Sequence, residues 1–203
     1  MSEELLWLAG FTSGDSDFGV KARPSPNSRL LWRVEIRLGW SQNGIPHVAG
    51  WFNADGAFMV RVSKTDAYKV GYSMQPYLRG SSTNDVLLSH IKMVLEEYEI
   101  GYVPSIEETK KGRPDYRLAI TRVDQVKKIC AILLPYLVGS KKVQCDILLN
   151  KIIPLFEQKK HLTREGFIEI MEWRDVMTRF KRVSRTKYNA QFLRDLWSLQ
   201  KGA

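Results

Sequence analysis

The chain has 203 residues, of which 44% are hydrophobic and 11% aromatic, so it has enough apolar side chains for a substantial core and is not disordered. No apolar stretch is as long as a membrane-spanning helix requires, and the N-terminus lacks the basic segment and cleavage site of a secretory signal. These features predict an intracellular protein, cytoplasmic or organellar, with no membrane partner. Cys130 and Cys145 stand in apolar surroundings, which predicts buried thiols rather than a disulfide.

The net charge is strongly positive and unevenly distributed. The sequence contains 31 Lys and Arg residues against 22 Asp and Glu residues, a formal charge of +9. Residues 141–203 carry fourteen of the basic residues and seven of the acidic ones, and therefore most of the excess. This balance favours a polyanionic partner, and the alternative interpretation is a solvated basic helix face.

The first 45 residues predict one helix and two strands. An apolar helix pattern over residues 5–11 ends at the breaker of residues 14–17, and two strand-like runs follow at 18–23 and 30–40. In the second run, apolar and charged residues alternate, which is typical of a half-buried strand with a charged outer face. The charged members of that alternation are Arg33, Glu35 and Arg37.

The same pattern then starts again. Residues 47–58 repeat residues 7–18 at an offset of 40, with Ala, Gly, Asp and Phe identical at matched places. The second copy is longer than the first, because strand, helix and strand patterns continue after its first hairpin. Strands are predicted over 58–64, 69–79, 102–107 and 116–122, and helices over 86–98, 123–137, 141–157, 163–180 and 190–199.

Small residues stand four apart in the helix of each copy. They are Gly10 with Gly14, and Gly50 with Ala54. Residues four apart share one face of a helix, and small side chains there let two helix axes approach closely. The spacing therefore predicts that the two helices pack against each other, or that each packs against a second subunit.

A carboxylate follows each of these helices. If the helices pair side by side in parallel, Asp15 and Asp55 arrive at the same end. Two carboxylates held close together repel each other unless a cation lies between them, and a hard divalent ion such as Mg²⁺ prefers oxygen ligands. The repeat therefore predicts a metal site that suits phosphate chemistry. The three histidines are far apart and lack zinc-ligand spacing, so zinc is not expected.

The two motifs resemble the LAGLIDADG signature of homing endonucleases. The matching stretches are Leu-Ala-Gly-Phe-Thr-Ser-Gly-Asp at residues 8–15 and Val-Ala-Gly-Trp-Phe-Asn-Ala-Asp-Gly at residues 48–56. The resemblance implies an α+β fold, with paired motif helices over a saddle-shaped antiparallel sheet and with C-terminal helices. Residues 46–203 are similar to one complete LAGLIDADG unit with basic C-terminal helices, and residues 1–45 to a truncated first repeat, a helix plus a β-hairpin.

The first copy departs from the family pattern. Ser13 stands where the signature has an acid, and Ser16 where it has a glycine. Residues 1–45 also lack a second helix and a second hairpin of their own.

Two assemblies therefore stay open, a monomer whose two motif helices pair within the chain and a homodimer in which two Asp55 helices meet. The monomer is favoured slightly, because linked helices have a high effective concentration.

The resemblance also implies which residues act at the cleavage centre. Asp15 and Asp55 correspond to the acids that bind the metal over the scissile phosphate. Gln42 corresponds to a polar residue that orders active-site water. Lys141 or Lys142 matches a lysine that offsets phosphate charge near the cleavage centre.

DNA-contacting residues are expected on the sheet and in the basic segments. In the family the sheet lies in the major groove and reads bases, which suits polar residues of the predicted strands. The outward set is expected to be Arg33, Glu35, Arg37, Arg61, Lys64, Tyr72, Gln75, Tyr77 and Arg79, with the parity of each strand open by one residue. Phosphate contacts are expected from Lys110, Lys111 and Arg113 in a turn, and from Arg182, Arg185 and Lys187 near the C-terminus.

The resulting functional hypothesis is a sequence-specific endonuclease that uses Mg²⁺ to make a staggered break in double-stranded DNA. One alternative is a relative that binds nucleic acid without cutting it, such as an RNA maturase or a DNA-binding regulator. The other is a nickase, in which Asp55 is competent and the altered first motif is not.

Overall fold

The computed structural model describes residues 44–109, 112–179 and 187–199. Within these ranges the chain forms a helix, a hairpin, a second helix, a second hairpin and a set of C-terminal helices. The elements are α1 Ile45–Ala54, β1 Ala57–Lys64, β2 Tyr72–Ser82, α2 Asp85–Glu97, β3 Val103–Glu108, β4 Pro114–Ile120, α3 Val123–Leu133, α4 Gly139–Ile147, α5 Ile153–Glu157, α6 Arg164–Thr178 and α7 Ala190–Leu199. The α+β prediction is confirmed. Residues 1–43 lie outside the described ranges, so the division into 1–45 and 46–203 stays a prediction.

The four strands form one antiparallel sheet in the order β1-β2-β4-β3. One face carries the core, because Phe58 is paired with Leu78, and Leu78 is paired with Ile120, and all three are fully buried. The side chains one residue along each strand point to the other face. The sheet therefore has one face packed against helices and one open face.

Side-chain caps fix the start of two helices. The side chain of Asn84 accepts a hydrogen bond of 3.2 Å from the backbone N–H of Leu87 at the start of α2. Thr163 caps α6 in the same way through the N–H of Gly166, also at 3.2 Å. Both positions are recognisable in the sequence, because short polar side chains satisfy backbone donors that have no partner within the helix.

Two predicted helices differ from simple α-helices where prolines occur. The predicted helix over 123–137 ends at Leu133, and a 3₁₀ turn over Leu134–Tyr136 follows. The predicted helix over 141–157 begins at Gly139 and widens into a π-helical stretch at Leu148–Ile152 before Pro154. Proline has no N–H to donate, so the backbone adjusts around it. None of the helices in the described ranges is long and apolar enough to cross a membrane.

The two cysteines are buried thiols, as the sequence predicts. Both are free, and Cys145 Sγ lies 3.5 Å from the backbone carbonyl oxygen of Cys130. Burial raises the pKa of the Cys130 thiol. The Cys130 thiol therefore stays protonated, and both cysteines act as small apolar packing residues between α3 and α4.

The buried His47 on α1 makes stability depend on pH. Burial and, second, His90 lower its pKa from 6.5 to about 4. The unfolded chain therefore binds this proton more readily, so the free energy of unfolding falls as the pH decreases from 6.5 to about 4. We expect a loss of up to about 3 kcal/mol across this window. Denaturant titrations of the wild type and of His47→Gln at several pH values measure it, and parallel pH curves for the two proteins would contradict the assignment.

Candidate functional site

The end of the motif helix places a carboxylate at the point where α1 turns into β1. Asp55 is the C-terminal cap of α1, and its backbone N–H donates to Trp51 O at 2.9 Å. The N–H of Gly56 donates to Phe52 O at 3.0 Å. A Cβ on Gly56 would lie 2.3 Å from a ring atom of Phe52, so only glycine fits this turn. The tight turn holds the exposed Asp55 in a defined position at the end of the helix.

The electrostatics of this helix end favour a cation. The C-terminal end of a helix carries partial negative charge from its backbone carbonyls, and the Asp55 carboxylate adds a full negative charge there. The ammonium group of the half-buried Lys141 donates a hydrogen bond to the carbonyl oxygen of Gly56. The structure therefore brings a basic side chain of α4 to the residue that directly follows Asp55.

The two candidate lysines are not equivalent. Lys141 and Lys142 are neighbours in α4, and successive helical side chains point about 100° apart. Lys141 contacts the end of the motif helix, whereas Lys142 is exposed. The sequence leaves the choice open, and of the two lysines it is Lys141 that lies at the end of the motif helix.

The open face of the sheet carries four of the predicted DNA-contacting residues. Arg61 on β1 is the cross-strand partner of Gln75 on β2. Tyr77 and Arg79 follow Gln75 on the same face of β2, since residues two apart along a strand share a face. Arg61, Gln75 and Arg79 are exposed, and Tyr77 is half-buried. The two arginines and Gln75 can offer bidentate hydrogen bonds, the kind that reads base edges in a major groove.

Tyr72 and Lys64 do not belong to that face, and the prediction for Tyr72 is wrong. Tyr72 is 6% exposed, and its ring centroid lies 6.3 Å from that of Phe167 and 5.3 Å from that of Tyr188. Lys64, its cross-strand partner, has the same parity but stands exposed at the end of β1. The C-terminal helices cover this end of the helix-packed face of the sheet and bury the Tyr72 ring.

The open face also carries an arginine of β4 that is not among the residues predicted from the sequence. Arg117 follows the same alternation as the neighbouring strands, and its Nε donates to Asp115 Oδ2 at 2.7 Å. It also pairs with Glu107 of β3. The hydrogen bond with Asp115 is the main cause of a raised pKa for this guanidinium. The alternation in β4, with the buried Leu118 after Arg117, is the sequence signal that identifies it.

The other predicted residues are spread more widely. Arg113 is exposed in the turn before β4, and the exposed Lys187 places its ammonium 5.3 Å from the centre of the Tyr188 ring. Gly50 is buried in α1, and Ala54 is half-buried at its end. The remaining predicted positions lie outside the described ranges. They are Gly10, Gly14, Asp15, Arg33, Glu35, Arg37, Gln42, Lys110, Lys111, Arg182 and Arg185.

The described residues at the end of α1 supply few ligands for a metal ion. No group of three or more His, Cys, Asp or Glu side chains suited to a metal occurs among the described residues. Asp55 contributes one exposed carboxylate. One or two carboxylates together with substrate phosphate oxygens and water are a common Mg²⁺ environment. The end of α1 therefore offers one carboxylate ligand to an ion and does not form a complete metal site by itself.

Solved structures with the same fold are homing endonucleases. I-CvuI, solved with the I-CreI target in the presence of Mg and with DNA not cleaved, matches with a TM-score of 0.63 and 17% identity over 76% of this chain and 92% of that chain. The archaeal intron-encoded homing endonuclease I-Vdi141I, complexed with DNA, matches with a TM-score of 0.61 and 18% identity over 76% and 96% of the two chains. These likenesses establish the fold.

Sequence comparison leads to the same family. The "probable intron-encoded endonuclease 2" of Neurospora crassa is 26% identical over 141 residues, which are 66% of this chain and 29% of that protein. The chain thus spans less than a third of the length of this curated relative. The profile of the LAGLIDADG endonuclease family matches residues 48–152, more than half of the chain. The chain therefore belongs to the LAGLIDADG endonuclease family.

Proposed function

We propose that this protein is a sequence-specific, metal-dependent DNA endonuclease of the homing type. The observation that carries the proposal is the contact between Lys141 and the carbonyl of Gly56, directly after Asp55. It brings the Lys141 ammonium to the residue that directly follows Asp55 at one end of α1, beside a sheet whose open face carries hydrogen-bonding side chains. Family membership and the DNA complexes of two structural relatives support the same function.

The chemistry follows from the charges at the end of α1. Asp55, together with Asp15 of the first repeat, would hold a divalent cation such as Mg²⁺. When bound, the ion polarises a phosphoryl oxygen and lowers the pKa of an attacking water. Lys141 offsets the negative charge that develops on the phosphate, since it already lies at this helix end. Gln42 is proposed to order the water.

The open face of the sheet is the proposed reader of DNA sequence. Arg61 and Arg79 suit the two acceptors of guanine, and Gln75 suits adenine. Glu107 and Asp115 hold Arg117 in place through ion pairs, which restricts its rotamers. Lys187 and the basic residues 182 and 185 are proposed to contact phosphates and to give binding a steep salt dependence.

The second acid defines the proposed assembly. In a monomer, Asp15 of the truncated repeat in residues 1–45 meets Asp55 of the unit in residues 46–203. In a homodimer, Asp55 of a second copy takes that place. The monomer is the preferred proposal, because covalent linkage gives the two helices a high effective concentration. Sedimentation of the free and DNA-bound protein distinguishes the two assemblies.

The test of the proposed function is cleavage of plasmids that carry candidate intron-insertion sites, with and without Mg²⁺. Linear product that depends on Mg²⁺ is the expected result. Binding without cleavage would favour a maturase or a DNA-binding regulator. A nicked product, abolished by Asp55→Asn and unaffected by Asp15→Asn, would favour a nickase.

Base readout by the open face makes a separate prediction. Arg61→Ala should weaken binding to the preferred duplex by about 5- to 150-fold and relax specificity at one base position. Lys64→Gln is the matched control, because Lys64 lies on the same strand with the opposite parity. It should leave the discrimination between bases unchanged, because Lys64 does not lie on the open face. Binding measured against a set of single-base variants tests this, and equal loss of specificity in both variants would contradict the proposed face.

A further inference from the structure

The side chain of Asn53 joins two segments that are far apart in the chain. Its amide nitrogen donates to the backbone carbonyl of Ala49 at 2.9 Å, one turn earlier in α1. Its carbonyl oxygen accepts the backbone N–H of Val138 at 3.1 Å, across 85 positions of sequence. Both ends of the amide are therefore used, and the second bond ties the motif helix to the segment before α4.

The segment that Asn53 holds determines where α4 begins. Val138 is the N-terminal cap of α4, and Gly139 follows with a φ of +54°, which favours glycine. The carbonyl of Val138 accepts the N–H of Lys142 at 3.3 Å, in the first turn of α4. Lys141 leaves from that same turn and reaches the Gly56 carbonyl. The position of Val138 thus sets the position of Lys141.

The geometry requires an amide at this position. An aspartate would accept the Val138 N–H but has no hydrogen to donate to the Ala49 carbonyl. It would also place a second negative charge near Asp55, at the negative end of α1. The LAGLIDADG signature itself has an acid at the place of Asn53, so this chain differs from it at a position where its own contacts need a donor and an acceptor.

We propose that Asn53 is a positioning residue, which fixes the start of α4 so that the Lys141 ammonium lies at the end of the motif helix. This inference rests on the proposed function where it concerns cleavage. The placement of Lys141 is a separate physical effect that does not require cleavage. If Asn53 merely stabilised α1, its substitution would lower the free energy of unfolding and would not change the environment of Lys141 selectively.

The test compares Asn53→Ala and Asn53→Asp with Asn150→Ala in the full-length protein. Asn150 is the matched control, since its amide makes a 2.7 Å bond to Asp146 on the surface of the same helical stretch. Hydrogen exchange at the Val138 amide and the rate of reductive methylation of each lysine are measured first. Cleavage kinetics on the preferred duplex are measured second.

Asn53→Ala should speed exchange at the Val138 amide by about 2- to 10-fold, because one hydrogen bond is lost. It should also speed methylation of Lys141 and leave Lys142 unchanged. The catalytic rate constant should fall by about 10- to 100-fold with little change in KM, as a displaced catalytic group would cause. Asn53→Asp should keep Val138 protected, because the acceptor remains.

Unchanged Val138 exchange and unchanged Lys141 methylation in folded Asn53→Ala would overturn the inference. An equal effect of Asn150→Ala would also overturn it. If the wild type does not cleave DNA but Asn53→Ala still exposes Lys141, the proposed function fails and the positioning role stands. If Asn53→Ala does not fold, Lys141 methylation in Asn53→Asp is the test: with Val138 still protected, methylation no faster than in the wild type supports the positioning role, and faster methylation overturns it.

Discussion

Asp55→Asn is expected to abolish DNA cleavage while leaving the fold and duplex binding intact. Asparagine has nearly the same shape as aspartate, and the backbone N–H of Asp55 supplies the bonds that end α1. The substitution removes the carboxylate charge, and with it the proposed metal ligand. We expect the cleavage rate to fall by at least about 100-fold, as when a charge-stabilising group is removed from an active site.

The control for this result is Asp195→Asn, which removes an exposed carboxylate on α7, far along the chain from the motif. Single-turnover cleavage and filter binding with the preferred duplex provide the measurements. The control should cleave like the wild type. Cleavage by Asp55→Asn at more than about a tenth of the wild-type rate would contradict the assigned role of this acid, since that rate is far above the residual rate expected without the carboxylate.

The contact between Trp51 and Gly80 is expected to give the largest stability effects. Trp51 of α1 is fully buried, and a Cβ on Gly80 of β2 would lie 2.1 Å from its ring. Trp51→Ala should lower the free energy of unfolding by about 3–5 kcal/mol. Gly80→Ala should lower it by about 1–3 kcal/mol, because the added methyl group overfills the space where α1 packs closely on β2.

The double variant tests whether these two effects share one cause. With the indole removed, Gly80→Ala should cost less than about 0.5 kcal/mol, since the added methyl group then has room. Gly101→Ala is the matched control, because a Cβ there has its nearest neighbour at 3.8 Å. Denaturant unfolding of the wild type, the two single variants, the double variant and the control gives the coupling free energy between the two substitutions. Additive losses in the double variant would contradict the packing of α1 on the sheet.

Local patterns in the sequence predict most of the fold in the described ranges. The caps Asn84 and Thr163 arise from interactions within a few residues, whereas the breaks near Pro135 and Pro154 fall inside helices that are predicted as continuous. The caps can be predicted from the chain because short polar side chains act locally. The order of elements then follows from the family resemblance.

The parts that the sequence does not predict depend on distant contacts. Tyr72 is compatible with either face of β2, and packing against Phe167, Tyr188 and Trp197 decides its place. The choice between Lys141 and Lys142 depends on the Asn53 bond across 85 positions. Strand parity and helix phase change with a shift of one residue, so a local pattern alone does not fix them.

We propose that a metal ion and the scissile phosphate meet at the end of α1. The most direct measurement is a crystal structure of the protein bound to a duplex selected from a randomised pool, grown with Mn²⁺ so that anomalous scattering locates the ion. We expect the ion on the Asp55 carboxylate and a phosphate oxygen, with the Lys141 ammonium beside the same phosphate. An ion and a phosphate bound elsewhere, with Asp55 far from both, would contradict the claim.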